Sequence, residues 1–294
     1  MPSMRRSRTL ASTPRIALAT LLAASTALTA GCKDQAKESA SLAGGDVQAM
    51  AALVDKDVGE VERGMPEGAT RLAPLVADGA DPRQDIAGVR KALLRVRRDV
   101  SDLMVAKSTF FALADPGGIA IRNDLEEDVM AGKNLLAGFP VLAKAGSGYV
   151  AGTGSFGGPP RPSGPDEDWI AAAPVKRADG TTGALLVTGW SYRYFSRHLQ
   201  EALKTRLLEA SKAAGAEGKL PVYYVAVFDK TGVYPAPATP QVDEQALVAQ
   251  DLVTKTASGP ATGTLTITDR AFGYGAARTP RLAPDTGVVV LRSD

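Results

Sequence analysis

The chain has 294 residues, 45% hydrophobic and 22% charged, with a formal charge of +2 and one cysteine. That length suits two modest domains, and a single cysteine excludes an intramolecular disulfide. Arg5, Arg6, Arg8 and Arg15 supply all the charge of the first 31 residues; without them the net charge falls from +2 to −2, so no nucleic-acid partner is expected.

Those arginines precede a short apolar run, Ile16 to Ala30, rich in Ala and Leu. A bilayer span takes about 20 residues, so the pattern reads as an export signal. It ends Leu28-Thr29-Ala30-Gly31-Cys32. The segment resembles a bacterial lipobox, with Thr29 where a large aliphatic residue is usual. That resemblance implies a signal peptide over 1–31 and a lipid anchor on Cys32. Lys33 in place of an Asp points to the outer membrane, and the chain is expected to face the periplasm or the cell surface. Lys33 to Gly45 is small and polar, and a flexible tether is expected over 32–46.

From 47 to 107 the sequence predicts a helical segment. Val47, Met50, Leu53, Val54, Val58 and Val61 form an apolar stripe over Asp46–Glu62. Pro66 and Pro74 make 64–79 a broken connector. A second helix is expected with Asp81 as its cap, Pro82 at its first position and Gln84 closing a capping box. Ile86, Val89, Leu93, Val96, Val100 and Leu103 follow at spacings of 3, 4, 3, 4 and 3. Such a narrow seam suits either packing within the domain or a homodimer. Arg90, Lys91, Arg95, Arg97 and Arg98 are expected on a solvated face.

Phe110 to Asn123 reads as strand, turn, strand about Asp115-Pro-Gly-Gly118. The pattern recurs at Val225-Ala-Val-Phe-Asp229-Lys-Thr-Gly232-Val233, 114 positions later. A second match pairs Ala172-Ala173…Arg177…Thr182-Gly183 with Ala276-Ala277…Arg281…Thr286-Gly287, 104 positions apart. Two copies of one α+β unit are therefore predicted, over 108–190 and 219–294, joined by a helix within 191–218. The ten-residue surplus of the first copy is assigned to the loop Gly157–Pro165.

Within the first copy, Asp124-Leu-Glu-Glu127 predicts a short helix, with its acids in the first turn. Strands are expected over Tyr149–Phe156, Trp169–Val175 and Ala184–Trp190, and a helix from Ser191 to Ala214. The second copy should contain a helix at Val242–Lys255 and strands near 264–268, 272–277 and 288–291.

Catalytic and metal chemistry find little footing. Gly152-Thr-Gly154-Ser-Phe-Gly157 matches G-x-G-x-x-G, but prolines follow where a dinucleotide site needs a helix. His198 is the only histidine, and it is expected at a surface or between units. No nucleophile elbow is present. The chain is not expected to be an enzyme, and no cofactor or metal is expected.

The order long helix, strand–Asp-x-x-Gly–strand, short helices and three antiparallel strands resembles the Cache family of extracytoplasmic, PAS-like sensor domains. The segment Ala114-Asp-Pro-Gly-Gly-Ile-Ala-Ile-Arg-Asn-Asp124, with Gly132-Lys-Asn-Leu135 after it, carries the likeness. The resemblance runs from about residue 47 to the end as a tandem arrangement. It implies an α+β fold: two PAS-like units, each an antiparallel sheet with helices on one face, preceded by a long N-terminal helix. It also implies a small-molecule pocket in the first unit. Members of that family usually feed an output domain; here a lipid anchor and no output domain are expected instead, so the chain is expected to act through a partner protein. Arg122, Tyr149, Phe156, Trp169 and Trp190 are the candidate ligand-binding residues, although each aromatic taken singly suits core packing better. The family's amino-acid-recognition pattern is not found, because Tyr192-Arg193-Tyr194 falls after the last strand. The alternative is an interaction lipoprotein that docks a partner through the 86–103 seam.

Overall fold

The computed structural model describes residues 19–108, 110–156, 166–216 and 220–294, with side chains for 34–104, 110–156, 166–216 and 220–294. One helix, α1 (Ala19–Leu72), runs beside two five-stranded sheets. At 1.5 Å per residue it is about 80 Å long. The expected tether is instead part of this helix. Ala36, Ala40 and Ala43 are buried, so small residues that read locally as a linker form the narrow face on which a sheet can lie. The expected break at 64–79 is also absent as far as Leu72. Pro66 lies inside the helix, and Met65, Ala69 and Leu72 continue the buried stripe through it. Tertiary packing outweighs the helix-breaking tendency of proline here.

The first unit contains α2 (Ile86–Asp99), β1 (Phe110–Ala114), β2 (Ala120–Asn123), α3 (Leu135–Gly138), β3 (Val150–Gly154), β4 (Asp168–Lys176) and β5 (Thr182–Ser191). The connecting helix is α4 (Tyr192–Ala213). The second unit contains β6 (Val222–Phe228), β7 (Val233–Pro235), α5 (Gln241–Val248), α6 (Leu252–Lys255), β8 (Ala261–Ile267), β9 (Arg270–Arg278) and β10 (Gly287–Ser293). The sheet orders are β2-β1-β5-β4-β3 and β7-β6-β10-β9-β8, so the repeat is real in topology as well as sequence. Every pairing between these strands is antiparallel. The surplus of the first copy falls between β3 and β4, and its loop 157–165 lies outside the described residues.

The twin turns are built alike. Asp115 accepts from Ile119 N through its carboxylate (2.8 Å), and Asp229 accepts from Thr231 N and Gly232 N (2.7 and 3.0 Å). Ser191 caps α4 by accepting from Tyr194 N.

The start of α2 differs from expectation. Asp81 closes its own turn, accepting from Arg83 N at 3.0 Å, while Asp85 caps the helix by accepting from Gly88 N at 2.8 Å. Asp85 stands directly ahead of the apolar stripe, so it caps the residues that pack. The seam does not form a homodimer face: Val89, Leu93, Val96, Val100 and Leu103 are buried in the chain's own core, and Ile86 alone of the six is exposed. The segment 124–128 is a loop rather than a helix, and the expected helix over 242–255 divides at Asp251, which is left-handed and caps α6.

One apolar core runs through both units on the α1 side. It joins α1 to Phe111, Trp169 and Leu186 of the first sheet and to Val225, Val227 and Val290 of the second. Polar pins reinforce it. Arg292 pairs with Asp46 at 2.8 Å, His198 Nε2 lies 2.9 Å from Asp57 Oδ2, and Arg281 reaches Glu62 at 2.7 Å. His198 thus ties α4 to α1.

Candidate functional site

The face of the first sheet that looks away from α1 is small and apolar, with Ala112, Ala114, Ala120, Ile170, Ala172, Leu185 and Val187. A cover of Met130, Leu135, Phe139, Leu142 and Ala145 closes over it. Asn134 starts the cover by capping α3, and Pro140 begins the 3-10 turn that follows. Phe139 is fully buried, so the protein's own side chains fill this face. A cleft of about 250 Å³ remains at its edge, lined by Lys133, Asn134, Phe139, Ser155 and Phe156. Phe156 stands edge-on to Phe110 and Phe139, with centroids 5.1 and 4.7 Å apart.

Three of the five expected binding residues lie on the opposite side, toward the helices. Trp169 and Trp190 are register partners on β4 and β5. Their rings stack at 4.3 Å, and Phe195 of α4 stacks on Trp190 at 4.6 Å. Both tryptophans are buried, and neither indole N–H has a hydrogen-bond partner. They fill the core on the α1 side. Tyr149 packs beside the same core with its hydroxyl unpaired. Burial, and then the charge of Glu62, push its phenol well up, with Arg281 opposing.

Arg122 lies elsewhere again, at the end of the edge strand β2. Its guanidinium donates to Leu125 O and Glu126 O at 2.7 and 3.1 Å and pairs with Asp128 at 3.0 Å. Asp128 also accepts from the backbone N–H groups of Asn123, Met130 and Ala131. Burial pushes the Asp128 carboxyl up, but Arg122 and these N–H groups outweigh it and hold it below the usual range. The acidic run therefore folds a loop from within instead of starting a helix. Asp124 does the same, accepting from Phe111 N and pairing with Arg97. Arg97 was expected in solvent; its side chain is only 12% exposed and serves the buried Asp124.

Between α2 and this loop lies an open groove of about 930 Å³. Ile86, Leu94 and Ile121 give it apolar surface, and Arg90, Lys91, Arg95 and Arg122 give it positive charge. Of the residues chosen from sequence it holds Arg122 alone. The missed signal was Leu94, an apolar residue off the seam and set among cations.

A polar junction joins the units. Tyr192 stands edge-on to Tyr234 at 5.3 Å, and Ser196 Oγ donates to Tyr234 O at 2.6 Å. Burial, then the charge of nearby Asp229, push the Glu167 carboxyl upward. Arg193 pairs with Glu244 at 2.8 Å. Among the described residues no cluster of three His, Cys, Asp or Glu could hold a metal.

No protein-family model and no curated protein matches this sequence. Solved structures do match by fold. The extracellular domain of a protein described as a histidine kinase, vpHK1S-Z8, aligns with a TM-score of 0.53 at 9% identity, covering 89% of this chain and 93% of that one. A domain described as from a sensory box/GGDEF family protein of Vibrio parahaemolyticus gives 0.52 at 9% identity, covering 88% and 97%. The ligand-binding domain of the Campylobacter jejuni chemoreceptor Tlp3, solved with L-norvaline, gives 0.52 at 9% identity, covering 88% and 92%. The fold is thus the Cache-like, PAS-like fold of sensory domains that the hairpin and strand motifs resembled.

Proposed function

We propose that this chain is an extracytoplasmic, lipid-anchored sensory module that binds a small molecule in its first unit and acts through a partner protein. The observation that carries the reading is the pairing of fold and opening. Two PAS-like units share one long helix in a fold similar to that of the Tlp3 domain solved with L-norvaline, and the first unit has a groove of about 930 Å³. That volume is within the usual range for organic ligands. The reading is of a binding module rather than an enzyme: His198, the one histidine, is engaged with Asp57 on α1.

Anchoring through Cys32 is supported by the Leu28–Cys32 segment and would set the second unit close to the membrane. Only two helical turns beyond the anchor, Ser39 Oγ lies 3.0 Å from Asp294. A ligand-driven shift of either sheet along α1 would therefore be felt at the anchored end without a flexible joint. Replacing Cys32 by Ser should release the protein from the membrane fraction; retention at the wild-type level would refute the anchor.

The sensory reading is tested by a thermal-shift screen of the protein against amino acids, organic acids, amines and nucleobases. A ligand at 100 times its Kd adds about 2.7 kcal/mol, which moves the Tm by several degrees. A shift with one chemical class is the expected result. A well-folded sample that shifts with none of them would overturn the reading.

A further inference from the structure

The cover face of the first sheet is closed by Phe139, Leu135 and Leu142. The larger volume lies across β2, in the groove between α2 and the 124–131 loop. Its apolar surface is exposed: Ile86 and Leu94 are 41% and 43% accessible. Its charges divide into two groups. Arg122 is held by Asp128 and two carbonyls, Arg98 by its neighbour Asp99, and Arg90 donates to Asp124 O at 3.2 Å. Lys91 and Arg95 make no hydrogen bond or short ion pair with any described residue, and only Asp99, four residues on, attracts Arg95 from a distance. They are four apart on α2, which places them side by side on one helix face. Glu126 and Asp128 are the acids of the opposite bank, and Asp128 is already paired. The groove is left with a surplus of positive charge beside bare apolar surface.

We propose that this groove is the ligand site of the first unit and that it takes an organic anion with an apolar body. The anionic group lies between Lys91 and Arg95, where a guanidinium fork and an ammonium both suit a carboxylate. The apolar body lies against Ile86, Leu94 and Ile121. This rests on the sensory reading and adds the place and chemical class of the ligand.

Isothermal titration of the protein with octanoate, phenylpropionate, acetate and octylammonium tests it. Octanoate or phenylpropionate should bind at least about tenfold more tightly than acetate, octylammonium should not bind, and added salt should weaken the complex. The double substitution Lys91→Glu/Arg95→Glu should abolish binding and leave the Tm unchanged, because both side chains lie on the outer face of α2. Leu94→Asp should weaken octanoate more than acetate. Octanoate binding that survives the double substitution, or octylammonium binding equally well, would overturn the assignment. If the wider screen finds a ligand whose affinity ignores Lys91, Arg95 and Leu94, the groove assignment falls and the sensory reading stands. If no compound binds in either assay, both fall.

Discussion

The two units have one topology and two ways of meeting α1. In the first, Trp169, Trp190 and Phe111 face the helices, and α2 joins α1 over the same core. In the second, glycines let the α1 backbone come down onto β9. A Cβ at Gly273 would fall 1.9 Å from Ala40 N, and one at Gly275 would fall 2.4 Å from Ala43 O. The same strand order thus tolerates a bulky interface and a nearly bare one. Sheet-to-helix distance is set by side-chain size at a few inward positions, and the wider interface is the one that carries an added helix and a groove.

Removing bulk from the first interface should have the largest effect. Trp169→Ala leaves a cavity under Trp190, and a loss of about 3–5 kcal/mol is expected in urea unfolding. A smaller loss, below about 1.5 kcal/mol, would mean that α1 and α4 collapse onto the sheet and that the spacing is not fixed by this ring. Arg97→Met should come next, at about 3 kcal/mol, because it strands the buried Asp124 charge. Arg97→Met combined with Asp124→Asn should recover much of that loss; no recovery would show that Arg97 acts by packing alone. In the second interface, Gly275→Ala should cost about 1–3 kcal/mol through overpacking. Gly232→Ala, where the nearest atom to a new Cβ is 3.9 Å away, is the matched control and should be close to neutral.

Much of this contrast was written in the chain, but only in its local terms. The Asp115 and Asp229 turns, the α4 cap at Ser191 and the strands from Phe110 to Leu291 depend on near neighbours, and their residues announce them. The stretch Ala36–Ala43 does not. Its small residues suit a linker equally well until Gly273 and Gly275 are known to lie opposite, more than 200 positions away. The 86–103 seam is similar: its period fits a partner helix or the chain's own core, and nothing local separates them. The site was less legible still. Strand alternation places Trp169 and Trp190 on one face, but which face meets the helices is a property of the whole fold. Lys91 and Arg95 read as solvated residues because the wall facing them is built by a loop that Asp124 and Asp128 fold from within.

The smallest expected effect probes the place where the two units touch. Glu167, just before β4, lies near Asp229 in the turn of the second unit; burial first and then that charge raise its pKa. A carboxyl whose pKa is raised on folding binds its proton more tightly in the native state. Its stabilising contribution is complete below the unfolded value of about 4.3 and is lost as pH rises through the folded value. At neutral pH the ionised Glu167 therefore opposes folding, by an amount limited by its partial exposure to solvent. Glu167→Gln should raise the Tm by about 1–3 °C at pH 7 and give little or no gain at pH 4. Asp229→Asn should remove part of that gain when combined with it, although it also weakens the turn. A Glu167→Gln effect that is the same at both pH values would mean that Glu167 is neither buried as the fold places it nor faced by Asp229 in solution.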